Sequence, residues 1–129
     1  MKKASEYLVI SRGQWDEERT PEEIQSVIDR FYVWIDRLVG EGKMKRGQRL
    51  GHQGKTVSKK HLVTDGPFGE AKELVGGYWF IVAGSLDEAA DIAGGNPCLD
   101  CGLFCEIRPI DPELATAYMV TTETPRARG

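Results

Sequence analysis

Two capping signals punctuate the chain, Thr20-Pro21-Glu22-Glu23 and Ser85-Leu86-Asp87-Glu88, and each is followed by an amphipathic stretch. In both, a hydroxyl side chain can accept from the backbone N–H three residues on, and a glutamate at that third position can reach back. Pro21 falls at the first helical position, where a missing N–H leaves no hydrogen bond unmade. Behind the first signal, Ile24, Val27, Ile28, Phe31, Ile35 and Leu38 recur at helical spacing, while Glu22, Gln25, Asp29, Arg30, Asp36 and Arg37 supply the wet side. Gly40 is placed to end this helix. Behind the second, Leu86, Ala89, Ala90 and Ala93 form a narrower packing face before Gly94-Gly95-Asn96-Pro97 stops it.

Between and around the helices lie strand-like runs. Residues 7–10 are rich in aromatic and branched side chains, residues 78–83 are mostly apolar, and residues 103–110 carry Pro109 near their end, at a position needing no ladder donor. Residues 43–64 have little helical periodicity and contain Gly47, Gly51 and Gly54, which reads as short strands at 47–50, 56–58 and 61–64. Asp65-Gly66-Pro67 closes that run as a turn. The resulting order is a ferredoxin-like βαββαβ plan with an extra hairpin, an α+β domain whose antiparallel sheet carries both helices on one face. The opposite face, also apolar, calls for a cover, and a homodimer supplies one. With 129 residues there is room for one such domain, here residues 1–115, followed by a C-terminal extension over residues 116–129 that ends as a mobile tail.

The net charge of −3 hides an uneven distribution. Residues 42–64 hold seven basic side chains, both histidines and no acid, so the remainder nets −10. Such a segment raises the local potential and can hold a phosphate, carboxylate or phenolate. Arg46 and Arg49 are three apart, so on a regular strand they face opposite ways and cannot form one clamp. Direct nucleic-acid binding is not expected, because no aromatic residues interleave with the charges and the whole chain is acidic. No apolar run approaches membrane-spanning length, the N-terminal apolar run is too short for a secretory signal, and three cysteines cannot all pair within one chain, which together point to the cytoplasm. Cys98 and Cys101 have the gap of a zinc knuckle or redox pair. With Cys105 separated on the next strand, ordinary buried thiols are the better reading, and neither a metal nor a cofactor is expected.

The runs Val63-Thr64-Asp65-Gly66-Pro67-Phe68-Gly69-Glu70-Ala71-Lys72-Glu73, Gly76-Gly77-Tyr78-Trp79, Ser85-Leu86-Asp87-Glu88-Ala89 and Glu106-Ile107-Arg108-Pro109-Ile110 resemble the YCII-related proteins of the DGPF type over about residues 6–110. That resemblance implies a dimeric α+β barrel of ferredoxin-like halves. It also implies a transcription-related partner, since some relatives are fused to or encoded with alternative sigma factors, and one branch of the wider superfamily includes dehydrochlorinases of chlorinated hydroxyquinols. A His and Asp pair is proposed as catalytic in smaller members. Asp65 matches the aspartate of the motif, whereas Asn96 stands where some relatives carry a histidine.

Asp65 and His52 are therefore the catalytic candidates, Asp65 as a general base and His52 as a proton acceptor in a glycine-rich connection. Arg49, His61, Lys72 and Tyr78 are the ligand-binding candidates around them. The expected role is binding of a small oxygenated or anionic metabolite, with a regulatory use. The alternative is a cofactor-independent lyase or isomerase built on Asp65 and His52.

Overall fold

The computed structural model describes residues 4–57, 59, 64–65 and 74–125. In chain order the elements are β1 (Ser5–Arg12), α1 (Pro21–Gly40), β2 (Met44–Arg49), β3 (Lys55–Thr56), β4 (Thr64–Asp65), β5 (Val75–Ala83), α2 (Leu86–Ala93), a 3-10 turn (Pro97–Cys101) and β6 (Phe104–Pro109). Four strands form one antiparallel sheet in the order β2-β5-β1-β6, with β1 and β5 central, and β3 pairs with β4 as a separate two-stranded hairpin. This is the ferredoxin-like arrangement with an inserted hairpin. The expected strand over residues 47–50 is the end of a longer strand, and the strand expected at residues 78–83 starts three residues earlier, taking in Gly76 and Gly77. The expected stretch at 61–63 and the Gly66-Pro67 part of the turn lie outside the described residues.

Both capping signals form. The Thr20 hydroxyl accepts from the Glu23 N–H at 3.1 Å and the Glu23 carboxylate accepts from the Thr20 N–H at 3.3 Å, a reciprocal pair whose loss costs about 1 kcal/mol. Ser85 accepts from the Glu88 N–H in the same way, while the Glu88 carboxylate reaches one residue further back, to the Gly84 N–H. Helix α1 does not stop through Gly40, which is its last residue. The chain turns at Gly42, with φ of +76°, and the Lys43 N–H returns to the Leu38 carbonyl at 2.9 Å. A left-handed residue is what this C-terminal geometry demands, and glycine supplies it without a Cβ clash.

The core lies between the helices and one face of the sheet. Strand alternation puts Tyr7 and Val9 of β1 and Trp79, Ile81 and Ala83 of β5 on that face, under Trp34, Ile35 and Leu38 of α1 and Ala89 and Ala93 of α2. Val9 and Ile81 are fully enclosed, each burial contributing roughly 1.5–3 kcal/mol. On α2 only the alanine pair one turn apart is buried, and Leu86 and Ala90 are exposed, because a helix resting on two alanines sits too close for a broader face.

The other face carries Leu8 and Ile10 of β1 and Tyr78, Phe80 and Val82 of β5, all partly exposed. Charged neighbours around this apolar centre pair among themselves: Lys45 with Glu6 at 3.1 Å, and Arg12 and Arg108 with Glu106 at 2.7 and 3.4 Å. Beyond β6, residues 110–125 form turns with no helix or strand, and Thr122 accepts a hydrogen bond from Arg108 at 3.0 Å. Among the described residues no helix is long and apolar enough to cross a membrane.

Candidate functional site

Helix α1 is supported differently along its length. Its second half rests on the sheet through Trp34, Ile35 and Leu38. Its first half is propped on the 3-10 turn, where Val27 packs against Cys98 and Cys101. Pro97 starts that turn, the Asn96 side chain accepts from the Cys98 N–H at 2.9 Å, and Gly102, with φ of +105°, ends it. The turn lies between the second helix and the last strand, where Asn96-Pro97 is a short capping signal.

Between the propped half of α1 and the sheet lies a cavity of about 710 Å³, within the range of small-molecule sites. Its floor is the end of the sheet with the least side-chain volume, Ser11 on β1 and Gly76 and Gly77 on β5. A Cβ on Gly77 would come within 2.8 Å of the Gln48 carbonyl, so the close approach of β2 requires glycine there. The α1 wall is Ile28, Phe31, Tyr32 and Ile35, with Trp79 beneath and Trp15 and Leu103 at one end. Phe31 meets the Trp79 ring edge to face, with centroids 5.4 Å apart. Besides Ser11 and Tyr78, the polar lining includes Gln14, Glu17, Arg46, Gln48 and Arg49.

The two arginines lie on the same side of the sheet, contrary to the expectation from a regular strand. In β2 the register runs Lys45 to Phe80 and then Gln48 to Tyr78, so Arg46 and Gly47 together oppose one residue of β5. This β-bulge inserts one residue and resets the alternation. Arg49 pairs with Gly77, on the same side as Trp79 and Ile81, and Arg46 reaches Asp36 of α1 at 2.5 Å. Gly47 permits the bulge, because a Cβ there would collide with the Tyr78 backbone carbonyl.

Of the other sequence candidates, Tyr78 borders the cavity, but its ring stands with Phe80 on the uncovered face, centroids 6.0 Å apart. His52 is exposed in the connection after β2 and is not part of the cavity lining. The backbone of Asp65 lies in β4, paired with Lys55. His61 and Lys72 lie outside the described residues. Trp15, Phe31 and Tyr32 line the cavity and are not among the sequence candidates. The signal that could have found them is the glycine pair preceding Tyr78, since two adjacent glycines on an inner strand leave the helix above them without a floor.

Cys98 also lines the cavity. Burial pushes its thiol up to about 11, with Cys105 and Cys101 adding to the rise, and burial raises Cys105 as well against a hydrogen bond from Asn96. Such thiols remain protonated and weakly nucleophilic at neutral pH. Among the described residues no group of three His, Cys, Asp or Glu side chains is placed to hold a metal ion.

The architecture defines a ferredoxin-like α+β domain with a small-molecule-sized cavity between its first helix and its sheet. The model of the YCII-related domain matches residues 6–112, and the chain belongs to that family. No curated protein sequence matches it. Among solved structures it is similar to 5-chloro-2-hydroxyhydroquinone dehydrochlorinase (TftG) from Burkholderia phenoliruptrix AC1100, in complex with 2,5-dihydroxybenzoquinone. The identity is 18% and the TM-score 0.43, over 82% of this chain and 93% of that one.

Proposed function

We propose that this protein binds a small, planar, oxygenated molecule in the cavity between α1 and the glycine-floored end of the sheet, as one half of a homodimer. The observation that carries the reading is the cavity itself, with flat apolar walls from Phe31, Tyr32 and Trp79 and a polar rim from Gln14, Glu17, Arg46 and Arg49. Aromatic walls favour a ring, and the few polar groups fix its orientation. Binding is favoured over a lyase or isomerase reaction by the exposed position of His52, outside the cavity lining. A thermal-denaturation series with 4-hydroxybenzyl alcohol and 4-hydroxybenzoate tests this. The expected result is a rise in Tm that grows with concentration, about 2.7 kcal/mol of stabilisation at a hundredfold excess over Kd. It should shrink in Ile28→Trp, whose larger ring narrows the cavity from the α1 wall. No shift with either compound removes the reading.

The dimer reading rests on the uncovered face, where an apolar centre is ringed by charges already paired within the chain. A second copy can cover it without stranding a charge. Light scattering on a size-exclusion column should give twice the chain mass, and Phe80→Glu should give one chain. A monomeric wild-type protein at micromolar concentration is the adverse outcome.

A further inference from the structure

We propose that Arg49, set on the helix side of the sheet by the bulge at Arg46-Gly47, is the anion-recognition residue of the cavity, and that its ligands are aromatic carboxylates. The inference rests on the cavity reading above and adds the ligand class and the residue that selects it. Without the inserted residue, Arg49 would join Lys45 on the face away from α1. With it, Arg46 and Arg49 both border the cavity, and they are not equivalent. Arg46 is held by Asp36, whereas Arg49 has no ion-pair partner among the described residues. An anion entering the cavity therefore finds the Arg49 guanidinium uncommitted among the described residues. Its cross-strand neighbour is Gly77, so no side chain from β5 stands beside it.

The charge and shape of the remaining lining narrow the ligand. The Arg49 guanidinium matches a single negative charge, and its planar pair of N–H donors fits the two oxygens of a carboxylate. A dianionic phosphate is disfavoured by Glu17 in the lining and by Asp36 behind Arg46. The same cavity is lined by Phe31, Tyr32 and Ile28, which suits a ring directly attached to the carboxylate.

Isothermal titration of 4-hydroxybenzoate and its neutral counterpart 4-hydroxybenzyl alcohol into wild type, Arg49→Gln and Arg46→Gln tests the assignment. Arg49 is exposed and makes no ion pair among the described residues, so its replacement should leave the fold and melting temperature intact. Arg49→Gln should weaken 4-hydroxybenzoate roughly ten- to a hundredfold and leave the alcohol unchanged, erasing the preference for the acid. Arg46→Gln should have the smaller effect, because its charge is already paired. Equal binding of acid and alcohol by wild type, or an unchanged acid affinity in Arg49→Gln, overturns the role of Arg49 while the cavity reading stands. Failure of both probes to bind wild type overturns the two together.

Discussion

The two ends of the sheet's helix-covered face are built from the same strands and lie under the same helix, yet they differ in what they hold. At one end Tyr7, Met44, Ile81 and Ala83 meet Leu38, Trp34 and Ala89 in a closed core. At the other, Ser11, Gly76 and Gly77 offer almost no side-chain volume, and α1 is carried by the 3-10 turn instead. The first end supplies stability and the second a space. A single amphipathic helix can serve both because its support changes from the sheet to the turn between Trp34 and Val27.

The sharpest way to break this contrast is to cut the same side chain at both ends. Ile81→Ala, at a fully enclosed position, should cost about 2–5 kcal/mol in urea denaturation. Ile28→Ala, at a wall already facing empty space, should cost less than about 1.5 kcal/mol, since it opens no new cavity in packed surroundings. Equal costs would mean that the second end is as closed as the first.

A smaller effect is expected from adding volume to the floor. Gly77→Val places atoms against the Gln48 carbonyl and the Arg49 Cα, so β2 must move, at about 1–3 kcal/mol. Because Arg49 is displaced with β2, affinity for 4-hydroxybenzoate should fall together with stability. A fall in stability alone would separate the floor from the site.

The smallest effect concerns the thiol at the boundary of the two regions. Cys98 has its folded-state value raised from the ordinary 9.0 to about 11, so the folded state holds its proton where the unfolded chain loses it. The stabilisation is complete below pH 9 and fades as the pH climbs towards 11. Cys98→Ala should flatten stability over that window, and at pH 8 Cys98 should react with iodoacetamide far more slowly in the folded protein than in urea. Rapid alkylation in the folded state would show that the turn does not enclose it.

Much of the fold could be read from local sequence because its signals are local. Thr20 and Ser85 announce their helices through hydrogen bonds spanning three residues, and the alternation in β1 and β5 is visible one residue at a time. The stop at Gly42 rather than Gly40 was less legible, since either glycine can adopt the left-handed conformation and only packing of the following strand decides. The site was harder to read for a non-local reason. Whether Arg46 and Arg49 share a face depends on whether Gly47 is counted in the ladder, and that depends on how closely β2 approaches the Tyr78 carbonyl on another strand. Tyr78 itself shows the reverse case, where an aromatic next to a glycine pair looks like a pocket residue but alternates onto the uncovered face. Trp15 joins the cavity because the 3-10 turn holds the middle of the β1–α1 connection beside α1, with the Asp16 N–H bonded to the Cys101 carbonyl at 2.8 Å.

The most direct test of the central claim is a crystal structure with 4-hydroxybenzoate bound. The account predicts its ring between Phe31 and Tyr32 on one side and Gly76 and Gly77 on the other, with the carboxylate on Arg49. A ligand found on the uncovered sheet face around Ile10 and Phe80, or in the cavity with its carboxylate turned away from Arg49, would contradict it.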